Sequence, residues 1–332
     1  MGSTIKKISC YLPQRILTNQ ELQREFVDWS AEKIEAKTGI RERHVVGEDE
    51  TSLDLAIQAS KIALEDYDKD KIDFVLLCTQ SPDYFLPTTS CILHEKLGLP
   101  SRTGAFDFNL GCSGYIYGLA LAKSLLTSKM SRSVLLVTAE TYSKFIHPRD
   151  KGNRTIFGDG SAATIIEYSE DENILDFVLG TDGRGACNLI VRNGALRKPH
   201  DPKAPEIPDD SGAIPTDNYL YMNGPEIFNF TIDVVPKLVI EVLEKNHRSL
   251  EDMSYIIFHQ ANKFILAYLR KKMKIPESKF YINMLNVGNT VSSTIPIALK
   301  DSLMQGKIKK GDEVLLIGFG VGYSWGGCII RI

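Results

Sequence analysis

The sequence predicts an α/β protein made of two related halves. Short runs of consecutive apolar residues alternate with helical patterns along most of the 332-residue chain. Such runs indicate strands of a sheet that is covered by helices on both faces. The order of strands and helices then recurs, and a repeated order with similar turns is typical of an internal duplication. We therefore predict one half over residues 1–170 and a second over residues 171–332.

The first half contains three helical patterns and three apolar runs. Its first helix carries apolar residues at helical spacing from Leu53 to Leu64, and the run that follows is apolar throughout. The predicted elements are helix 52–65, strand 74–78, helix 90–97, strand 104–109, helix 113–127 and strand 133–138.

The second half repeats this order, and its turns match in detail. Gly111-Cys112 precedes a helix in the first half, as Gly288-Asn289 does in the second. The predicted elements are helix 226–245, strand 255–258, helix 263–274, strand 281–285, helix 294–304 and strand 313–317. A polar stretch over residues 179–219 interrupts the pattern. Loops of this length are usually functional or mobile, so two interpretations stay open: a lid or wall over a pocket, or a surface insertion.

Composition excludes several classes of protein. A net charge of −3 gives no reason to expect nucleic-acid binding. No apolar run approaches the roughly 20 residues of a membrane span, and the N-terminus lacks the apolar segment of a secretory signal. The six cysteines form no CxxC pair and no Cys/His cluster with zinc spacing. We therefore expect a reduced cytoplasmic protein with no metal.

Three reactive side chains each follow a predicted strand. Cys112 lies between a strand and a Gly/Ala-rich helix, His259 follows an apolar run, and Asn289 follows Gly288. Ligands of α/β folds bind at the carboxyl ends of strands. A duplication places equivalent turns from both halves near one another, so the three residues are compatible with one pocket.

These residue types suit covalent acyl chemistry. The start of the helix near Ser113 is expected to stabilise a thiolate at Cys112 and lower its pKa. His259 and Asn289 would donate hydrogen bonds to an enolate oxygen. Two neutral donors suit an enolate formed by loss of CO2, which then attacks the acyl-cysteine. Two alternatives stay open: acyl transfer from Cys112 to an amine or alcohol, and a silent subunit that binds a partner.

Several motifs together resemble the β-ketoacyl-acyl carrier protein synthase III family of the thiolase superfamily. The resemblance covers nearly the whole chain, and it implies a thiolase-like, five-layered αβαβα fold. The motifs are Lys37–Arg43, Cys112–Gly114, Phe157–Gly160, His259–Asn262, Gly288–Thr290 and Gly318–Gly326.

The resemblance also implies roles for particular residues. Cys112 would be the acylated nucleophile, and His259 and Asn289 would bind the malonyl thioester carbonyl and drive decarboxylation. Phe319 would pack near this pair, and the turn that includes Gly320 would place the backbone N–H of Val321, with that of Cys112, on the acyl oxygen. The family is homodimeric, so Leu86, with Phe85 beside it, would line the partner subunit's acyl pocket.

The implied reaction joins an acyl thioester primer to a malonyl thioester and gives a 3-ketoacyl thioester and CO2. The substrates would be thioesters of coenzyme A or acyl carrier protein, and no cofactor would be bound permanently. The sequence leaves the chain length and the donor of the primer open.

The chain departs from the family around the expected coenzyme A site. Lys33 and Lys151 stand where Trp and Arg usually flank the adenine. Trp29, one turn before Lys33, is either a substitute stacking residue or a packing residue, and Lys37 and Asn262 complete the set of expected substrate-binding residues. Further differences are Val321 for Gly, Pro225-Glu226 for Asn-Glu, and Phe264 for Arg. These differences favour a primer carried on acyl carrier protein, or an unusual acyl group, over acetyl-coenzyme A.

The helix predicted over residues 263–274 carries a cluster of positive charges. Its members are Lys263, Arg270, Lys271, Lys272 and Lys274. A basic face beside the pocket would suit an acidic carrier protein. The alternative is a solvated helix face without a partner.

Overall fold

Two five-stranded sheets with the same topology form the framework of the protein. The computed structural model describes residues 2–207 and 216–332. Residues 208–215, part of the stretch predicted as a long loop, therefore lie outside the described residues.

The first sheet has the order β1-β7-β6-β4-β5. Its strands are β1 (Gly2–Tyr11), β4 (Phe74–Cys78), β5 (Gly104–Phe108), β6 (Ser133–Glu140) and β7 (Gly160–Ser169). Strand β4 is parallel to β5 and β6, whereas β7 runs antiparallel to both β6 and β1. A strand buried on both faces needs no alternation of polar residues, and β6 is buried at all eight positions.

The second sheet has the order β12-β11-β13-β14-β8 and the same pattern of directions. Its strands are β8 (Val178–Thr181), β11 (Tyr255–Phe258), β12 (Phe280–Tyr281), β13 (Glu313–Gly320) and β14 (Ser324–Arg331). Strand by strand, β4, β5 and β6 correspond to β11, β12 and β13. The predicted duplication of the α/β unit is thus present in the fold.

Helices fill three layers around the two sheets. One core cluster joins both sheets to α5 (Gly114–Thr127) and α9 (Thr294–Met304), which therefore form the central layer. A second cluster packs α3 (Ser52–Leu64) and α4 (Thr89–Leu97) on the outer face of the first sheet. A third packs α7 (Gly224–Lys245) and α8 (Lys263–Lys272) on the second sheet. The predicted five-layered αβαβα arrangement is confirmed.

Smaller elements surround one end of this core. Two small antiparallel sheets form, one from β2 and β3 and one from β9 and β10. These elements are β2 (Ile16–Thr18), α1 (Asn19–Glu25), α2 (Ala31–Thr38), β3 (Glu42–His44), α6 (Lys151–Arg154), β9 (Leu189–Ile190) and β10 (Tyr221–Met222). Part of the stretch predicted as a loop therefore has regular structure, since β8, a 3-10 helix over Gly183–Asn188 and β9 lie within or overlap it.

Two predicted elements are shorter than expected. The strand expected over 281–285 pairs with β11 only at Phe280 and Tyr281. Its continuation turns away, because the carbonyl of Leu285 accepts hydrogen bonds from the N–H groups of Arg41 and Glu42. The helix expected to reach Lys274 ends at Lys272, because Lys274 adopts a positive φ of 55°, which ends an α-helix.

None of the helices in the described residues combines the length and the apolar character that a membrane crossing requires.

Strand β13 begins at a carboxylate held by two arginines. Glu313 bonds to the guanidinium groups of Arg248 and Arg331, with N–O distances of 2.7 to 3.0 Å. These hydrogen bonds lower the pKa of Glu313 from 4.5 to about 2, and the bond from Arg248 contributes more than the bond from Arg331. Since β13 ends beside Cys112, this ion pair helps to anchor the strand that carries part of the site.

We expect Glu313→Gln to lower the free energy of unfolding by about 2 kcal/mol at pH 7. A depressed carboxyl pKa gives stability that is complete above about pH 4.5 and is lost as the pH falls towards 2. Urea unfolding of both proteins should therefore show a difference that narrows below pH 4.5. Asp233→Asn, which breaks the exposed pair with Lys237, should cost less than about 0.5 kcal/mol. A difference that stays constant down to pH 3 would contradict the assignment.

Candidate active site

Cys112 lies in the tight turn between β5 and α5, almost completely buried. The N–H of Gly114 closes this turn on the carbonyl of Gly111 at 2.7 Å. The thiol packs against Gly320 at the end of β13, where a Cβ atom would lie 2.6 Å from Sγ. Only glycine allows this approach, so β13 of the second half forms one wall of the cysteine site.

The prediction that the helix start lowers the pKa of Cys112 is wrong. Burial raises the pKa of this thiol to about 12, although hydrogen bonds from the backbone of Val321 and of Cys112 act in the opposite direction. A helix end stabilises a charge by at most about 2 kcal/mol, and here the loss of water costs more. The cysteine is a neutral thiol at physiological pH, with two backbone N–H groups directed at its sulfur.

His259 follows β11 and is also buried and neutral. Burial lowers the pKa of the imidazole to about 3. Its Nδ1 lies 2.7 Å from Oγ1 of Thr294, and its ring packs edge-on against Phe319 at 5.6 Å. The Thr294 hydroxyl can donate to Nδ1, which leaves Nε2 with the hydrogen, or to the carbonyl of Val291 at 3.0 Å. In the second case Nδ1 is the donor and Nε2 is free to accept a proton.

Asn289 is fixed on both its backbone and its side chain. Its N–H donates to the carbonyl of Ile156 and its carbonyl accepts from Gly158. The side-chain oxygen accepts from the N–H of Val291 at 2.9 Å, and Nδ2 lies 3.3 Å from the carbonyl of Ala261. One N–H of the amide is thereby used, which leaves the second available to a ligand.

The end of β13 connects the sites of Cys112 and His259. Phe319 contacts the imidazole of His259, Gly320 contacts the thiol of Cys112, and the backbone of Val321 bonds to the same sulfur. Cys112 also shares an apolar cluster with Val291, two residues after Asn289. The fold therefore brings a thiol, an imidazole and an amide from two halves of the chain to one region.

A cavity of about 770 Å³ opens beside the cysteine turn. Val321 and Tyr142 line it, and Tyr142 lies with Cys112 in the same apolar cluster. Its further apolar walls are Phe145, Leu189, Val191 and Leu220. The described part of the 179–219 stretch thus forms a wall of this cavity. This agrees with the interpretation of the stretch as a lid or wall rather than as a surface insertion. Such a volume is ample for a small acyl group.

The residues expected at the partner's pocket lie on an exposed loop. Phe85 is 75 % and Leu86 is 83 % exposed. Phe85 lines the cavity of its own chain. Large apolar side chains with this exposure are typical of an interface.

A second cavity, of about 650 Å³, is lined by Trp29, Lys37, Asn262, Lys263 and Phe264. The ammonium groups of Lys33, Lys37 and Lys151 lie 5.8, 4.8 and 5.5 Å from the Trp29 ring. Lys151 also pairs with Asp28 at 2.7 Å, and the Asn262 side chain caps α8 at Ile265.

One side of this second cavity is formed by residues that pack near the cysteine. Two further lining residues, Ile156 and Met222, pack against the apolar cluster that contains Cys112. Of the five residues expected to bind substrate, Trp29, Lys37 and Asn262 line this cavity, and Lys33 and Lys151 lie beside the Trp29 ring.

The basic cluster of α8 is divided between two surroundings. Lys263, Lys271 and Lys272 are exposed, although Nζ of Lys272 bonds to the carbonyl of Ile232. Arg270 is partly buried and pairs with Glu277 at 3.5 Å, beside a different cavity. Arg270 is therefore not on one continuous basic face with the lysines.

Sequence reasoning missed the residues that support the site. Thr294 orients His259, Gln80 contacts the cysteine turn, and Glu140 accepts a hydrogen bond from Ser292 beside Asn289. One sequence signal could have revealed Glu140: it is a carboxylate at the end of strand 133–140, which otherwise carries no charged residue. Among the described residues, no group of three or more His, Cys, Asp or Glu side chains is arranged to hold a metal.

Comparison with known proteins identifies the family. Residues 106–183 match the family model 3-oxoacyl-[acyl-carrier-protein] synthase III, and residues 243–332 match the model of its C-terminal part. The chain is 39 % identical over 325 residues to a β-ketoacyl-[acyl-carrier-protein] synthase III of Clostridium perfringens, with 97 % of each chain covered.

Comparison with solved structures indicates the same family. A 3-oxoacyl-(acyl-carrier-protein) synthase III matches with a TM-score of 0.98 and 49 % identity over the whole of both chains. The enzyme of the same name from Pseudomonas aeruginosa PAO1 matches with a TM-score of 0.87 and 31 % identity, covering 100 % of this chain and 98 % of the other. The chain therefore belongs to the β-ketoacyl-acyl carrier protein synthase III family.

Proposed function

We propose that this protein condenses an acyl thioester primer with a malonyl thioester, through an acyl group on Cys112. The products are a 3-ketoacyl thioester, CO2 and a free thiol. The observation that carries the proposal is a buried thiol in contact with the end of β13, in the same region as a neutral imidazole and a neutral amide.

In the first step, Sγ of Cys112 attacks the carbonyl carbon of the primer thioester. With Thr294 donating to Val291, Nε2 of His259 accepts the thiol proton. The N–H groups of Val321 and Cys112 stabilise the tetrahedral oxyanion. The carbon–sulfur bond to the carrier then breaks, and the carrier thiolate leaves with a proton. Because a thiolate at Cys112 is disfavoured by burial, we expect proton loss to accompany attack.

In the second step, the malonyl thioester loses CO2 and its carbonyl becomes an enolate. Nε2–H of His259 and the free N–H of Asn289 hold the enolate oxygen. The carbanion forms a carbon–carbon bond to the acyl carbon, and the carbon–sulfur bond to Cys112 breaks. The sulfur that leaves takes up a proton from water, which restores the neutral thiol. A neutral imidazole and an amide act here as donors alone, since decarboxylation creates the carbanion without a base. No observation favours acyl transfer to an amine or alcohol, or a silent subunit.

We propose that the thioester arm enters through the cavity beside Trp29. Two ammonium groups near this ring, those of Lys33 and Lys37, suit the phosphate of a pantetheine arm, which both coenzyme A and acyl carrier protein present. The third, that of Lys151, is paired with Asp28. Lys263, which lines this cavity, and the exposed Lys271 on the same helix add positive charge that suits an acidic carrier protein. Arg270 does not belong to this surface, because it pairs with Glu277.

We propose further that two copies of the chain associate through the edge of the first sheet. Strand β5 is the last in its sheet, so one row of its backbone groups has no partner strand within the described chain. Phe106 on this strand is 37 % exposed, and the exposed Phe85 and Leu86 add apolar surface. A second copy, related by a two-fold axis, would cover the same patch on both subunits.

The acyl-enzyme is tested by intact mass. Incubation with acyl-coenzyme A should raise the mass of the wild-type protein by one acyl group, and Cys112→Ala should abolish this adduct. Cys91→Ala and Cys187→Ala remove exposed thiols and serve as controls that should retain it. An adduct that survives Cys112→Ala would exclude the assigned nucleophile.

The decarboxylation step is tested by the release of labelled CO2 from malonyl-acyl carrier protein. Asn289→Ala should lower this rate by about 100-fold or more, since one oxyanion donor is lost, while the acyl adduct on Cys112 still forms. Asn246→Ala, a buried asparagine at the end of α7, is the matched control and should retain CO2 release. Wild-type rates in Asn289→Ala would contradict the mechanism.

The dimer is tested by sedimentation equilibrium. We expect twice the chain mass for the wild-type protein and a shift to monomer for Phe106→Asp, which places a charge at the covered edge. Ile240→Asp, on an exposed apolar residue of the outer helix α7, should remain dimeric. A monomeric wild-type protein, or a dimeric Phe106→Asp variant, would refute this interface.

A further inference from the structure

Glu140 is a buried carboxyl group that the reaction described above does not use. It ends β6 and is 0 % exposed. Within the part of the chain that the structure describes, no arginine, lysine or histidine donates a hydrogen bond to it; its partners there are one backbone N–H and two serine hydroxyls. Burying a carboxyl group without a basic partner costs free energy, and such groups are rare. A functional role is therefore expected for Glu140.

Its two oxygens bond to opposite halves of the molecule. Oε2 accepts from the N–H of Gln80 at 3.1 Å and from Oγ of Ser81 at 3.3 Å, both in the turn after β4. Oε1 accepts from Oγ of Ser292 at 2.8 Å, in the turn between Asn289 and α9. One carboxyl group thus spans the boundary between the two sheets at the level of the site.

Each of these turns touches the proposed reacting groups. A Cβ atom at Gly111 would lie 2.5 Å from Oε1 of Gln80, so the Gln80 side chain packs directly on the cysteine turn. Ser292 lies between Asn289 and Thr294, the residue that contacts Nδ1 of His259. Ser292 also lies close to Gly114, the first residue of α5, where a Cβ atom would approach its Cβ to 3.5 Å.

We propose that Glu140 is a positioning residue that sets the spacing between the Cys112 turn and the turn that carries Asn289 and orients His259. This inference rests on the proposed function and adds a residue to it. Acylation needs the cysteine and the N–H groups near it. Condensation also needs the His259–Asn289 pair at the right distance from the acyl group. It therefore depends more strongly on the hydrogen bonds by which Glu140 joins the two turns.

The carboxyl group acts in this role as a neutral hydrogen-bonding group. Burial, above all, raises the pKa of Glu140 to about 8. Glutamine therefore matches it in shape and charge at pH 7. When Glu140 is neutral its hydrogen lies on Oε1, since Oε2 accepts from Gln80 and Ser81, and the bond to Ser292 then runs from Oε1–H to Oγ. A glutamine reproduces this pattern, with its oxygen as the acceptor and its nitrogen as the donor to Ser292.

The test compares the two half-reactions in one set of variants. Glu140→Ala and Ser292→Ala should lower condensation with malonyl-acyl carrier protein by about 10- to 100-fold. Acylation of Cys112, followed by intact mass, should change by less than about threefold in the same proteins. Glu140→Gln should restore condensation to within a few-fold of wild type. Ser302→Ala, which removes an equally buried hydroxyl from α9, should leave the ratio of the two rates unchanged.

The outcomes separate this inference from the proposed function. Wild-type protein that neither acylates nor condenses would refute the proposed function itself. Equal losses of both half-reactions in Ser292→Ala, or no loss, would overturn the positioning role, and Ser292→Ala decides the matter even where Glu140→Ala does not fold. Loss of acylation in Glu140→Gln would also overturn it, because a group that takes a proton from Cys112 cannot be replaced by an amide.

Discussion

The packing of two helices between two sheets is the constraint on which the rest of the structure depends. Helices α5 and α9 share one core with both sheets, so each sheet is covered on its inner face by the same pair of helices. The turn that precedes α5 holds Cys112, and the turn that precedes α9 holds Asn289. Because both helices start at the same end of the central layer, their preceding turns must meet. The glycine at 320 then permits β13 to touch the thiol, and Gly288, at φ +75°, permits the sharp turn before Asn289.

Burial also sets the charge of each group at this meeting point. It raises the pKa of Cys112 and Glu140 and lowers that of His259, so all three shifts favour the neutral form. A dry, uncharged site strengthens every hydrogen bond to an anion that forms within it. The charges that develop in the proposed reaction are those of a tetrahedral oxyanion and an enolate. In their neutral forms Cys112, Glu140 and His259 do not oppose either of them.

Local sequence patterns predicted much of the fold and the positions of the three candidate catalytic residues. Apolar runs located β4, β6, β11 and β13, and strand ends located Cys112, His259 and Asn289. Features that depend on distant partners were not accessible. The pKa of Cys112 depends on a desolvation that only the packed fold creates, and β12 is short because Leu285 bonds to Arg41 and Glu42 instead of extending the sheet. Glu140 and Ser292 lie 152 positions apart, and no pattern in the sequence around either residue predicts that they are in contact.

The proposed chemistry asks one imidazole to accept a proton in one step and to donate a hydrogen bond in the next. The surroundings of His259 permit both. Thr294 has one hydroxyl hydrogen and two nearby acceptors, Nδ1 of His259 and the carbonyl of Val291. Rotation of this hydroxyl changes which tautomer is stabilised, and between the two steps Nδ1 loses its proton to water while Nε2 takes one up. The ring itself, which Phe319 holds edge-on, need not move. A carboxylate at the position of Thr294 would instead fix the hydrogen on Nδ1 and favour a charged imidazolium. A hydroxyl is therefore the group that suits a neutral histidine with two successive roles, and its fixed place at the start of α9 depends on the same turn that carries Asn289.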